Sequence, residues 1–235
     1  MTNLYFLLLV VVVLFSWVGS IYALPLPDGS VLPNLLSEES VRWFVRHSID
    51  NVSEAPFVEV LLSLFLVGAL RSSGLFSALV HRTSLDIRRN RHALYIALAV
   101  LVVCLLVVLL GILPGGNLLS VTGYVAGGPF AAGWLFLLTS VMSVTCVVYG
   151  RMSGQWRNSR DVFTGLSSEI ASCASYFVTL VVASQLVAAM QFVRLPELLG
   201  ISYTVQRILV ALVYIIPLIV LFVTNKSTHE SSSTE

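Results

Sequence analysis

The stretch ALYIALAVLVVCLLVVLLGIL, residues 93–113, decides the fold, because it carries no charged side chain and is long enough to cross a bilayer. At about 1.5 Å of helical rise per residue, roughly 20 residues cover the ~30 Å hydrocarbon layer. Five further runs meet the same measure: Leu4 to Leu24, Phe57 to Val80, Phe130 to Gly150, Ile170 to Val193, and Ile208 to Val223, the last with a start as early as Tyr203. In hydrocarbon every backbone amide must be satisfied within the protein, and the alternating pattern of barrel strands is absent, so the runs are helices.

Composition agrees. The 235 residues are 57% hydrophobic and only 11% charged, against about a quarter charged in a soluble domain. A water-soluble globule of this composition would lack the polar surface to cover itself. With thirteen Lys/Arg against twelve Asp/Glu, the net charge of +1 provides no field for nucleic acid. Soluble enzymes and nucleic-acid modules are thereby excluded, and lipid is the principal partner.

The first run could be read as a signal peptide, since Ala23-Leu24-Pro25 follows it. No Lys or Arg precedes it and it exceeds the usual signal core, which favours a retained helix over residues 1–24; cleavage would leave five spans. The second run holds Glu59, Gly68 and Arg71-Ser72-Ser73-Gly74. It is either one kinked helix or a span ending near Leu70 followed by a short interfacial helix.

Basic residues set the orientation. The loop from His81 to His92 holds Arg82, Arg88, Arg89 and Arg91, the loop after the fourth run holds Arg151, Arg157 and Arg160, and Lys226 lies in the tail. Placing these inside gives eight cytoplasmic Lys/Arg against four outside, Arg71 set aside. The expected fold is therefore an all-α integral membrane protein with six transmembrane helices and both termini cytoplasmic, in the inner (cytoplasmic) membrane of a cell.

Residues 25–56 form an outer segment with an amphipathic helix. Ser37 caps it, Glu38 and Glu39 occupy its first turn, and Val41, Phe44 and Val45 make an apolar stripe beside Trp43. It lies along the interface or packs on the bundle. The five runs of residues 57–223 form the membrane bundle, the breaker-rich Pro114 to Pro129 connection is partly embedded, and residues 224–235 form a disordered cytoplasmic tail.

No hydrolytic, redox, phosphate-binding or metal motif is present. Gly115-Gly116 and Gly127-Gly128 lack the Lys-Ser/Thr of a phosphate loop. Cys104, Cys146 and Cys173 have no metal-ligand spacing, and His47, His81, His92 and His229 form no cluster. Neither an enzyme activity nor a cofactor is expected.

Polar residues inside the membrane are the better lead. Ser172, Ser175, Thr179 and Ala183 recur at helical spacing, with Gln185 around the helix from Ser175. Such a stripe either lets helices approach or lines a solute path. Glu59 and Glu169 sit at the mouths of their helices. Buried there, a carboxylate is a candidate for ion coupling; solvated, Glu169 simply favours a helix N-terminus. Thr139, Ser140, Ser143 and Thr145 give the fourth helix a second polar run, whose hydroxyls can bond to their own backbone.

Two stretches carry a resemblance. One is Gly128-Pro129-Phe130, Tyr149-Gly150-Arg151-Met152-Ser153-Gly154, Asp161-Val162 and Ala183-Ser184-Gln185; the other is Asn34-Leu35-Leu36-Ser37, Arg42-Trp43, Asn51, Ala55-Pro56, Gly68 and Ser73-Gly74-Leu75. In this order they resemble the p-aminobenzoyl-glutamate transporter (AbgT) family, of which the chain looks like a divergent, half-length member. The resemblance implies scaffold helices, dimers, and cation-coupled movement of p-aminobenzoyl-glutamate or efflux of sulfonamide antimetabolites.

The chain departs from that pattern. The hairpin signature expected between Leu75 and Tyr149 is missing, and the sequence stops at the point where a second hairpin would follow. Arg71 replaces an acid and Ser184 an alanine. Pro56, Gly68, Gly74, Pro129, Tyr149, Gly150, Gly154 and Asp161 match as structural positions, and Asn51, Glu59, Ser172, Ser175, Thr179 and Gln185 are the candidates for a substrate or ion pathway. The expected function is a transporter-like membrane protein, homo-oligomeric, moving a small organic anion with sodium or protons. The alternative is a membrane scaffold or assembly protein that keeps only the scaffold helices.

Overall fold

Chains whose solvent is lipid close their amides locally, and the computed structural model contains helices and no strand among the described residues, which are 2–80, 88–113, 118–120, 124–125 and 127–231. Six stretches are long and apolar enough to cross a membrane: Thr2–Ile21, Glu38–Ser72, Arg89–Ile112, Pro129–Ser153, Ala174–Phe192 and Tyr203–Leu221. Each expected run overlaps one of them. His81 to Ile87, including Arg82 and Asp86, the 114–117, 121–123 and 126 parts of the glycine-rich connection, and residues 232–235 lie outside the described residues.

The helices divide between two compact units, residues 1–57 with 173–235, and residues 58–172. The first unit holds α1 (Thr2–Ile21), α2 (Glu38–Ser53), α8 (Ala174–Phe192), the single turn α9 (Leu195–Leu198) and α10 (Tyr203–Ser231). Thr2 of α1 meets Thr179 of α8, and Leu9 and Val13 share a pocket with Ala189, so these two helices run parallel. α10 runs against α8: Tyr214 meets Tyr176, while Leu209 and Val210 line a pocket with Val187 and Met190. Of these three spans, α1 and α8 therefore point one way and α10 the other.

α10 contains Pro217, whose ring nitrogen cannot donate to the carbonyl one turn back, that of Val213. In hydrocarbon an orphaned carbonyl is costly. The Tyr5 hydroxyl donates to that carbonyl at 2.8 Å, and the Tyr176 hydroxyl donates to the neighbouring Tyr214 carbonyl at 2.9 Å. Both tyrosines are buried. Helix backbone continues through Ser231, so positions 224–231 differ from the expected disordered tail; once a helix is nucleated, each added residue brings one hydrogen bond.

α2 begins as its sequence requires: Ser37 is extended and its hydroxyl accepts the Ser40 amide at 3.3 Å. Its packed face differs from the expected stripe. Ser40 is buried, Trp43 stacks on His47 and lies 4.6 Å from the Phe192 ring of α8, and Asn51 reaches α8 as well. Val41, Phe44 and Val45 border a pocket of about 160 Å³ with Leu9 and Val13, yet Val45 remains 69% exposed and Ile49 81%. Aromatic rings offer more contact area than valines, and they take the packed side.

The second unit holds most of α3 (Phe57–Ser72), α4 (Leu75–Val80), α5 (Arg88–Ile112), α6 (Pro129–Ser153) and α7 (Ser159–Ser172). The second run is thus two helices, broken at Ser73-Gly74, where Gly74 takes φ +74°, a left-handed conformation that glycine adopts without strain. α5 and α6 pack as neighbours. Ala93 and Ala97 of α5, Ala69 of α3, Leu75 and Ala78 of α4 and Cys146 and Tyr149 of α6 build the core with Trp156.

The fifth run is also two helices. α7 ends at Ser172, and α8 starts at Ala174 after Cys173 leaves helical geometry. Ser172 is therefore not on the helix of Ser175, Thr179 and Ala183, and the expected four-residue stripe is interrupted. No proline or glycine marks this break. Glu169 consequently lies in the last turn of α7 rather than at a helix start, where the dipole disfavours it; Arg71, in the favourable last turn of α3, pairs with it at 2.9 Å.

Candidate functional site

Among the six pathway candidates, the first unit brings two together. Asn51 closes the last turn of α2 and Gln185 sits mid-way along α8. The Asn51 Nδ2 donates to Gln185 Oε1 at 3.2 Å, and Gln185 Nε2 donates to the Ser48 carbonyl at 2.9 Å. An amide in hydrocarbon demands a donor and an acceptor, and α2 supplies both. Ala183, Ser184, Leu186, Val187, Ala188 and Ala189 around it are buried. The amide thus sits in a tight helix contact.

Thr179 is buried six residues earlier on the same helix. Its hydroxyl donates to the Ser175 carbonyl at 3.1 Å and meets the Thr2 hydroxyl at 2.7 Å, so Thr2 supplies the proton of the second bond. Ser175 is itself exposed. Ser184, the position where alanine is usual in the resembling family, is buried and donates to Val181 O, which removes the cost of an extra hydroxyl.

Glu59 and Ser172 belong to the second unit. Glu59 is exposed in the first turn of α3, where a carboxylate suits the dipole. Ser172 is exposed and donates back to the Ser168 carbonyl at 3.0 Å. Neither carries the burial that an ion-coupling group requires.

The family-matched structural positions explain themselves. Pro56 precedes α3, where the missing amide proton does no harm, and Pro129 starts α6 after the Gly128 cap. A Cβ on Gly68 would come within 2.9 Å of the Leu166 carbonyl, so α3 and α7 approach to backbone contact there. Gly150 lies under the Trp156 indole, where a Cβ would be 2.6 Å from the ring. Tyr149 is buried in the core beside it, and Gly154 ends α6 at φ +81°.

Asp161 starts α7. One of its oxygens accepts the amides of Arg157 and Asn158, both at 2.9 Å, so this carboxylate caps the turn between α6 and α7. Those two amides hold its acidity stronger than that of an ordinary aspartate.

The residues that sequence reasoning passed over are Thr2, Tyr5, Ser48, Tyr176 and Tyr214. Pro217 inside an apolar run was the available signal for the tyrosines, since a helix proline frees a carbonyl. Nothing in sequence pointed to Ser48, because it contributes a backbone oxygen.

Comparison with known proteins gives this arrangement a context. The model of the "AbgT putative transporter family" matches residues 82–231. Among solved structures, the YdaH transporter of Alcanivorax borkumensis is similar with a TM-score of 0.73 and 18% identity, over 84% of this chain and 72% of that one. MtrF of Neisseria gonorrhoeae, from a class of antimetabolite efflux pumps, is similar with a TM-score of 0.72 and 16% identity, over 83% of this chain and 69% of that one. At such identities the likeness is one of fold. None of the curated proteins matches the sequence.

Proposed function

The chain belongs to the AbgT family, and from that premise we propose that it carries a small organic anion of the p-aminobenzoyl-glutamate or antimetabolite type across a membrane, coupled to sodium or protons. The single observation that carries this reading is the family match over residues 82–231, joined to a shared fold with two transporters. A multi-pass membrane protein with a transporter-like role is the plain consequence of membership. Family members are transporters, which points away from enzymatic chemistry.

In this reading both termini are cytoplasmic, the membrane is the inner one, and the chain works as a homo-oligomer, a dimer by the family pattern. α2 lies along the outer interface, which the exposure of Val45 and Ile49 supports. Asn51, Ser175, Thr179 and Gln185 are the candidates for the solute path in the first unit, and Glu59 and Ser172 are those in the second.

One observation favours a second reading, in which the chain is a scaffold or assembly protein. The half-buried Gln185 amide bonds to Asn51 and to the Ser48 carbonyl, so it is engaged in a contact between α2 and α8. The two readings separate in liposomes containing the purified chain and labelled p-aminobenzoyl-glutamate, with sodium and proton gradients applied in turn. Transport predicts flux above empty liposomes and a loss of flux in Gln185→Leu at unchanged folded protein. Absence of flux from verified, folded protein would overturn the first reading.

A further inference from the structure

The turn that joins α6 to α7, with the start of α5 beside it, gathers four arginines, none of them in an ion pair among the described residues. Arg151, at the end of α6, donates its Nη1 to the Arg157 carbonyl at 2.7 Å. Arg89, at the start of α5, donates its Nη2 to the Ser153 carbonyl and covers the open side of Gly154. Two guanidinium heads are therefore pinned to backbone oxygens of one turn, each with further donors left over. Arg157 and Arg160 are exposed beside them.

Asp161, the acid beside the cluster, offsets part of its charge through Arg151 and Arg157 but forms no ion pair with either. The Asp161 oxygen is taken up by two backbone amides, and among the described residues none of these four arginines forms an ion pair with a carboxylate. The same rim is apolar where a soluble protein would be polar: Phe163 is 72% exposed and Met152 46%. Phe163 follows Arg160 by three residues, so both share the outer face of α7. Val162 and Leu166 of the same helix pack against the core.

Position in the bilayer gives this combination a partner. α6 is 25 residues long. At 1.5 Å per residue it is roughly 37 Å long, which takes its last turn past a ~30 Å hydrocarbon layer and into the headgroup zone. We propose that the α6–α7 turn, with Arg89, Arg151, Arg157, Arg160 and Phe163, binds the headgroup phosphate of an acidic phospholipid while Phe163 enters its acyl region. Arginine forks match phosphate oxygens, and heads already held by carbonyls lose little freedom on binding. The site depends on membership of the membrane class alone and is independent of what the chain transports.

The test is a titration of the purified full chain in detergent with phosphatidylglycerol and with phosphatidylcholine, read by native mass spectrometry. The wild-type chain should retain phosphatidylglycerol selectively, and Arg157→Gln with Arg160→Gln should weaken that retention about tenfold. Neither side chain makes a hydrogen bond or ion pair among the described residues, and the interaction of Arg157 with Asp161 is solvent-screened, so the variant should keep its thermal midpoint. High salt should weaken retention in the unmodified chain as well, which provides a measurement free of any folding defect. Equal retention of both lipids, an equal loss in Arg207→Gln of the other unit, salt-insensitive binding, or displacement of the lipid by millimolar inorganic phosphate would each overturn the proposal.

Discussion

α5 and α8 are both membrane-length helices, yet they solve opposite problems. The α5 window has a mean hydropathy of 3.3 and is 11% buried; the α8 window has a hydropathy of 1.5 and is 50% buried. The first packs on α6 and leaves most of its surface exposed, while other helices cover half of the second. A lipid-facing helix needs only apolar bulk, whereas a helix enclosed by protein gains from small residues and from hydroxyls and amides with partners. Low hydropathy in a span is thus a sign of protein contact.

The largest break in this contrast should come from truncating a leucine on each helix. Leu180 of α8 is 1% exposed, and Leu106 of α5 is 51% exposed. In a bilayer the unfolded reference is also apolar, so the cost is that of the cavity and lost contacts rather than of transfer from water. Leu180→Ala should lower stability by about 2 kcal/mol, and Leu106→Ala by less than about 0.5 kcal/mol, in denaturant unfolding from micelles. Equal effects would show that α8 is not enclosed.

A smaller effect is expected at the polar junction. Gln185→Leu should cost about 1 kcal/mol, since Ser48 O and Asn51 lose their partner. Asn51→Ala should cost less alone and show positive coupling with Gln185→Leu in a double-mutant cycle. Additive losses would mean that the 3.2 Å contact contributes nothing to stability.

The proline clamp sharpens the comparison further, because α8 supplies one of its two hydroxyls. Tyr5→Phe should cost about 0.6 kcal/mol by leaving the Val213 carbonyl orphaned. Pro217→Ala restores the missing amide proton, and in that background Tyr5→Phe should be nearly neutral. A full cost there would show that the tyrosine acts by packing alone.

The contrast between the two helices was partly legible in sequence. Residues 93–113 announced a membrane span, while Ser175, Thr179 and Gln185 pointed to a helix that either packs on protein or lines a solute path. Ser37 was readable as a cap because the chemistry is local, and Ser73-Gly74 was readable as a break because glycine permits φ +74°. The break at Cys173 was not, since Ser172-Cys173-Ala174 contains no breaker. Pairing was hidden for the same reason: Arg71 meets Glu169 across 98 positions, and Asn51 meets Gln185 across 134. Spacing rules act within one helix and are silent on which helix comes alongside. The Ser48 carbonyl was beyond any residue pattern.

The smallest effect lies where α8 ends. Arg194 adopts φ +56°, a left-handed position usually given to glycine, and is held there by Asp28 at 2.6 Å and by Glu197. Ser30 hydrogen bonds and the arginine hold the Asp28 pKa below that of a free aspartate. For a carboxyl so depressed, its stabilising contribution is complete above the unfolded value near 4 and is lost as pH falls through the folded value. Lowering the pH from 7 to 3 should therefore reduce the protection of the Ser30 and Leu32 amides, measured relative to intrinsic exchange at each pH, since Asp28 and the Leu24 carbonyl hold them in place. Asp28→Asn should show low protection at both pH values. All three side chains are substantially exposed, so salt should shrink the difference, and an unchanged pH response in the variant would show that another group titrates.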